Sequence, residues 1–242
     1  MKTMFKVLSF AAILAVAAAP AAHATETFNS ALGGPGVYYG SGNPNCCFAV
    51  NTDGTVELGL KAKVRNGAIP ITSSGTDYSV KPGHTSAHPT WALWNFDFSV
   101  NTVGALDAYT YLITITDDTH PSLTHTFNPD PSNLTDDAIA SSSGTCNGPT
   151  KTIPAVPCAY DPATDHGFQN SENLGFSGYL TGFNPNVADE YTITLTATPT
   201  GVGSAVTDTI NVVPTPEPSS LIFLGTGLLG GLGTMIRRRR IA

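Results

Sequence analysis

Apolar and polar residues alternate one by one along several stretches of this chain, and that period dictates its fold class. Val56, Leu58, Leu60, Ala62 and Val64 alternate with Glu57, Lys61, Lys63 and Arg65. Trp94, Phe96, Phe98 and Val100 alternate with Asn95, Asp97, Ser99 and Asn101. Tyr109, Tyr111, Ile113 and Ile115 alternate with Thr110, Thr114 and Thr116, and Tyr191, Ile193, Leu195 and Ala197 with Thr192, Thr194, Thr196 and Thr198. Val206, Ile210 and Val212 complete the set. Side chains on a strand point to opposite faces with period two, so this pattern predicts half-buried antiparallel strands with threonine on the wet side. No stretch between the two ends carries a helical period. The expected fold is all-β: two packed antiparallel sheets of seven to ten strands in total, an immunoglobulin-like or jelly-roll-like sandwich over residues 25–213. Asp107-Ala108-Tyr109 and Asp189-Glu190-Tyr191 open two strands alike, as a tyrosine corner does. The strands around Thr200-Gly201-Val202-Gly203 read as a closing hairpin.

The ends follow different rules. Lys2 and Lys6 precede an uncharged run, Val7 to Ala19, and then Ala22-His23-Ala24. A basic start, an apolar middle and small residues at the cleavage positions form a secretory signal peptide over residues 1–24, cut after Ala24 by signal peptidase. At the other end, Pro216-Glu217-Pro218 is followed by an apolar run, Leu221 to Ile236, and by Arg237, Arg238, Arg239 and Arg240. As a helix at ~1.5 Å per residue this run spans about 24 Å, against a hydrocarbon core of about 30 Å. Ser219 and Ser220 fit one interface and the arginines snorkel at the other. The arginines hold their side in the cytoplasm, which puts the preceding domain outside. Gly227 and Gly231 have the GxxxG spacing of close helix contacts, a spacing that arises easily by chance in so glycine-rich a run.

Residues 214–242 resemble the PEP-CTERM sorting signal in the order of their parts: Pro216-Glu217-Pro218, then a glycine-studded apolar run, then the arginine block. The resemblance covers about the last tenth of the chain. It implies recognition and cleavage near Pro-Glu-Pro by exosortase, a membrane-embedded cysteine transpeptidase, in a bacterium with an outer membrane that secretes exopolysaccharide. Thr215 stands where that signal often has Val. An anchor that is never cut fits the helix equally well.

Without the ends, about 190 residues remain, enough for one domain with its own core. Only five of the 11 Lys and Arg stay in this part against all 18 acids, a net charge of roughly −13. Nucleic-acid binding is excluded, because phosphate contact needs basic surface. All four cysteines, Cys46, Cys47, Cys146 and Cys158, lie in the exported part, where an even count reads as two disulfides. The expected pairing joins each of Cys46 and Cys47 to one of Cys146 and Cys158. The alternative joins Cys146 to Cys158 and leaves a vicinal pair. A long Asp-, Ser- and Gly-rich loop is expected over residues 128–175.

Candidate sites are sparse. Asp117, Asp118 and Asp130, with Asp136 and Asp137, offer carboxylates for Ca²⁺, although their spacing matches no known calcium loop and suits solvated turns. His84 and His88, and His120 and His125, are closely spaced, but Pro82, Gly83 and Pro89 deny the first pair a helix. Ser177 lacks the glycine that a nucleophile elbow requires two residues later. Asp165-His166 has no evident nucleophile. Tyr38, Tyr39 and Trp91, in Gly- and Pro-rich sequence, are the aromatic residues best placed to stack on sugar rings. No cofactor is expected. The reading that follows is an exported cell-surface or extracellular-matrix protein, sorted by exosortase, non-catalytic, with a structural or adhesive role associated with exopolysaccharide. Its alternatives are a secreted polysaccharide hydrolase, with two converging carboxylates, and a carbohydrate-binding module with an exposed aromatic row.

Overall fold

The computed structural model describes residues 24–33, 45–67, 71–134, 137–141, 144–147, 160–176 and 179–215. Numbered in chain order, the strands are β1 (Thr25–Ser30), β2 (Phe48–Thr52), β3 (Val56–Val64), β4 (Asp77–Val80), β5 (His84–Thr85), β6 (His88–Ala92) and β7 (Trp94–Thr102). After a 3₁₀ turn at Leu106–Ala108 come β8 (Tyr109–Asp117), β9 (Thr124–Phe127), β10 (Ala138–Ser141), β11 (Gly144–Asn147), β12 (Asp165–Glu172), β13 (Tyr191–Pro199) and β14 (Val206–Pro214). One sheet runs β1-β2-β3-β7-β12-β10-β11, the other β4-β14-β13-β8-β9, and β5-β6 forms a separate ribbon. The two main sheets thus hold twelve strands among the described residues, more than the seven to ten expected. All pairs are antiparallel except β4 with β14. The expected signal helix falls at residues 1–24 and the membrane helix at 221–236, outside the described residues apart from Ala24, which is exposed. Among the described residues no helix is long and apolar enough to cross a membrane.

The core is made by the alternating residues themselves. Leu58, Leu60, Phe96, Phe98 and Val100 of the first sheet meet Ile113, Ile115, Ile193, Leu195 and Ile210 of the second, all at 0–1% exposure. β13 and β14 pair from Tyr191↔Val212 to Ala197↔Val206, which is the expected closing hairpin. The tyrosine corner falls one turn of the pleat later than expected. The Tyr111 hydroxyl donates to the Leu106 carbonyl at 3.0 Å, whereas Tyr109 reaches across to Thr55 Oγ1 at 2.9 Å.

Two expectations need correction. The stretch 128–175 is not one long loop, because β10, β11 and β12 lie within it and β12 pairs with β7 in the middle of the sheet. β12 carries little apolar signal, since only Phe168 of Asp165–Glu172 is a large apolar residue. The expected disulfide pairing also fails, because Cys46 is bonded to Cys47. Cys47 adopts a left-handed backbone, φ 68°, immediately before β2, and its carbonyl accepts the buried Tyr78 hydroxyl at 2.6 Å. Cys146 stands on β11, five strand intervals from β2, or about 24 Å at ~4.8 Å per strand, far beyond the ~7 Å Cα limit for a disulfide. Cys158 lies outside the described residues.

Candidate functional site

The chain breaks its strand at Leu93, between β6 and β7, and a hollow forms beside the break. Leu93 N–H donates to Gly83 O at 3.0 Å, and Arg65 N–H donates to Leu93 O at 2.8 Å, so the bend is held from two sides. Asn173, fully buried just after β12, fills the gap in the ladder. Its Oδ1 accepts the N–H groups of Ala92 and Gly175, and its Nδ2 reaches Ala92 O, Trp94 O and Asn95 Oδ1. The next segment then lies flat on β6. A Cβ at Gly175 would stand 2.7 Å from Trp91 Cα and collide with the Thr90 carbonyl, so only glycine fits there. Phe176, whose N–H bonds Asn173 O at 2.9 Å, consequently meets the Trp91 ring edge-on, with centroids 5.0 Å apart at 77°.

The opposite wall comes from residues 180–187. Gly83 N–H donates to Pro185 O at 2.6 Å, and His84 Nδ1 lies 2.9 Å from Asn186 Oδ1, which ties this wall to the β5-β6 ribbon. Phe183 leans on the core through Tyr191, at 5.7 Å. The hollow has a volume of about 630 Å³, and its lining of Thr90, Trp91, Leu174, Gly175, Phe176, Leu180, Gly182 and Phe183 carries no ionisable side chain. Charge stands behind Trp91 instead. The His88 ring stacks on it with centroids 3.5 Å apart, and the Arg65 guanidinium lies over it at 4.4 Å. Trp91 enters the hollow as one of its walls. Tyr38 and Tyr39 lie outside the described residues.

Beside this region Tyr179 packs against Phe127 at 4.9 Å. Burial, and then the neighbouring Glu172 carboxylate, push the Tyr179 hydroxyl far above its ordinary pKa, so it remains a neutral donor.

The calcium candidates do not converge. Asp117 Oδ1 caps a turn by accepting the N–H groups of Thr119 and His120, each at 2.9 Å. Asp118 accepts the Thr192 hydroxyl at 2.8 Å. Asp130 lies past the far end of β9, because Thr124 pairs with Thr116 whereas Phe127 pairs with Ile113. It accepts Ser132 N–H and the Tyr160 hydroxyl. The residues brought to Asp117 are His120 and Asp189, whose ligand atoms lie within 4.8 Å of one another. Sequence spacing could not pair residues 117 and 189, which meet only because β8 and β13 are neighbours. Asp136 falls outside the described residues, and Asp137 is buried.

The remaining candidates are separated too. His125 stacks on Phe127. Asp165 accepts the Asp161 N–H at 2.8 Å, while His166 Nδ1 turns to Gly104 O at 3.0 Å. Ser177 and the sorting residues Pro216, Glu217, Pro218 and Arg237–Arg240 lie outside the described residues, as does Ala22. Phe176, Leu180 and Phe183 were missed by sequence reasoning. They come from loops without periodicity, and the Asn-x-Gly of Asn173-Leu174-Gly175 is the one local signal of a tight approach.

No curated protein matches the chain. Among solved structures, the CooA pilin subunit from enterotoxigenic Escherichia coli aligns with 66% of this chain and 99% of its own, at 12% identity and a TM-score of 0.23, a likeness too low to carry an argument. The model of the PEP-CTERM protein-sorting motif matches residues 214–240. The chain therefore ends in a PEP-CTERM sorting tail, which marks it as an exported protein of the cell envelope that exosortase sorts.

Proposed function

We propose that this is a non-catalytic structural or adhesive protein of the cell surface or extracellular matrix, whose β-sandwich contacts exopolysaccharide through the hollow beside Trp91. The sorting tail supports the location. The observation that carries the contact is the chemistry of the hollow: its Leu, Phe, Trp, Gly and Thr lining offers van der Waals contact and aromatic rings to the C–H face of a sugar, with no ionisable side chain among it. The preformed scaffold around Asn173 keeps the ordering cost of binding low.

The test is affinity electrophoresis of the exported protein in exopolysaccharide purified from the producing cells, run alongside an assay for released reducing ends. Retardation that is lost in Phe176→Ala, with no sugar ends released, supports the proposal. Release of reducing ends assigns the protein to the hydrolases, and equal retardation of Phe176→Ala removes the hollow from the account.

A further inference from the structure

At the end of the sandwich where β8 stops, metal-ligating side chains from two separate segments converge. Asp117, the last residue of β8, pairs directly with Tyr191, the first residue of β13. The Asp118 N–H bonds Glu190 O at 2.8 Å and carries this pairing one residue further, which brings Asp189 alongside. The β8–β9 turn folds His120 back onto Asp117. His120 N–H donates to Asp117 O at 3.1 Å, Leu123 N–H to His120 O at 2.7 Å, and Asp117 N–H to Leu123 O at 3.1 Å. One ligand atom from each of Asp117, His120 and Asp189 lies within 4.8 Å of the other two.

We propose that Asp117, His120 and Asp189 form a binding site for a divalent ion of the zinc class, with one imidazole and two carboxylates from the chain and water in the rest of the coordination sphere. Three observations support it. First, Asp117 is held as a ligand is held. It is 5% exposed, and its Oδ1 accepts the N–H groups of Thr119 and His120, which orients the carboxylate and leaves Oδ2 facing the imidazole. Second, Asp117 Oδ2 stands 3.3 Å from His120 Nδ1. That is longer than the ordinary N–H···O bond of about 2.7–3.2 Å, and it matches the separation of two ligands on a tetrahedral zinc, about 3.3–3.6 Å for bonds of ~2.0–2.2 Å. Third, Tyr191 is 2% exposed, yet its hydroxyl has no hydrogen-bond partner among the described residues, and neither has the Asp189 carboxylate. Burial, and then the charges of Asp189 and Asp117, hold that hydroxyl far above its ordinary pKa, so it stays a neutral donor near both carboxylates. A buried hydroxyl without a protein partner is satisfied by water or by the hydration shell of an ion.

The donor set selects the ion. Calcium takes six to eight oxygens, whereas this site offers an imidazole nitrogen and two carboxylates, a set that suits zinc. The exported part carries a net charge of roughly −13, which raises the local concentration of any cation. The His120 side chain is 59% exposed, so the ion would enter and leave from solvent. Once bound, it would tie the β8–β9 turn to the lead-in of β13.

The test is calorimetric titration of zinc into the full exported chain in detergent, after dialysis against a chelator. The wild type should take up one zinc per chain at micromolar concentration. His120→Ala and Asp189→Asn should each weaken binding about tenfold or more, with the circular dichroism and melting temperature of the metal-free protein unchanged. Asp117 is left intact in this comparison because it also caps the turn. His166→Ala should bind as wild type, since His166 is held at Gly104 near the start of β8, whereas Asp117 ends that strand. Saturating zinc should raise the melting temperature of the wild type and leave that of the two site variants where it was. Imidazole NMR spectra should show the His120 ring shifted by zinc and the His166 ring in place. No zinc uptake up to millimolar concentration, full affinity in both site variants, or displacement of zinc by an equal concentration of calcium would each overturn the assignment.

Discussion

The side-chain amide of Asn173 pairs with the backbone of Ala92 as a strand would, accepting its N–H and donating to its carbonyl, both at 3.0 Å. The amide therefore continues the sheet across the bend at Leu93 and holds Gly175, and with it Phe176, against β6. Asn173→Ala strands several buried polar groups, each costing about 1–3 kcal/mol. The expected loss is about 3 kcal/mol or more in urea unfolding. Asn173→Asp should do no better, because it turns an acceptor toward three others.

Asp97, 2% exposed on the outer side of β7, is flanked by Lys61 Nζ at 3.5 Å and Lys63 Nζ at 3.3 Å. Burial pulls the Lys61 pKa below its ordinary value, and the Asp97 carboxylate opposes that pull. Removing the shared anion leaves two cations facing each other. Asp97→Asn should destabilise by about 3–5 kcal/mol, whereas the Lys61→Met, Asp97→Asn double variant should recover part of that loss. Chemical denaturation of the four forms of this cycle measures both.

These elements differ in how far the sequence disclosed them. β8, β13 and β14 were legible because apolar residues and threonine alternate through most of their length, and Tyr111, Ile113, Ile115, Tyr191, Ile193, Leu195, Ala197, Val206, Ile210 and Val212 of that pattern are buried. β12 was not, because its place in the middle of the sheet is set by register with β7, and its outward residues, Gly167 and Gln169, are small or polar. All nine residues of β7 are buried, including Asn95, Ser99 and Asn101, so alternation gave its strand state and missed the burial of its second face. Trp91 was flagged for its aromatic ring, but its partners His88, Arg65 and Phe176 come from three separate segments, and only the folded chain brings them to it. The vicinal pair was only the alternative in the sequence, and the folded chain, which joins Cys46 to Cys47 and holds Cys146 strands away, selects it.

Asp208 sits between the sheets at 1% exposure with Oδ2 unpartnered. Burial, and then the negative charge of Glu26, raise its pKa to about 8, against the opposing pull of the Thr209 and Leu60 backbone N–H groups. An unfolded aspartate titrates near ~3.9, so the native state binds the extra proton between those values. The stabilisation is complete below about pH 4 and is lost as pH rises through about 8, with a slope of about 1.4 kcal/mol per pH unit. Asp208→Asn should flatten this dependence and gain on the order of 2–4 kcal/mol at pH 7. Unfolding curves of both forms from pH 4 to 9 would show it.

The vicinal bond has a simple signature. Non-reducing peptide mapping should yield one peptide containing Cys46 and Cys47, lighter by two hydrogens than its reduced form. A cross-linked species joining that peptide to the one with Cys146 would contradict the fold as described.

The intact mass of the protein recovered from cells, with and without exosortase, tests the sorting account most directly. The prediction is a chain that begins after Ala24 and, when exosortase is present, has lost Arg237–Arg240 through a cut near Pro216-Glu217-Pro218. A full-length tail in both strains, or a retained signal segment, would contradict it.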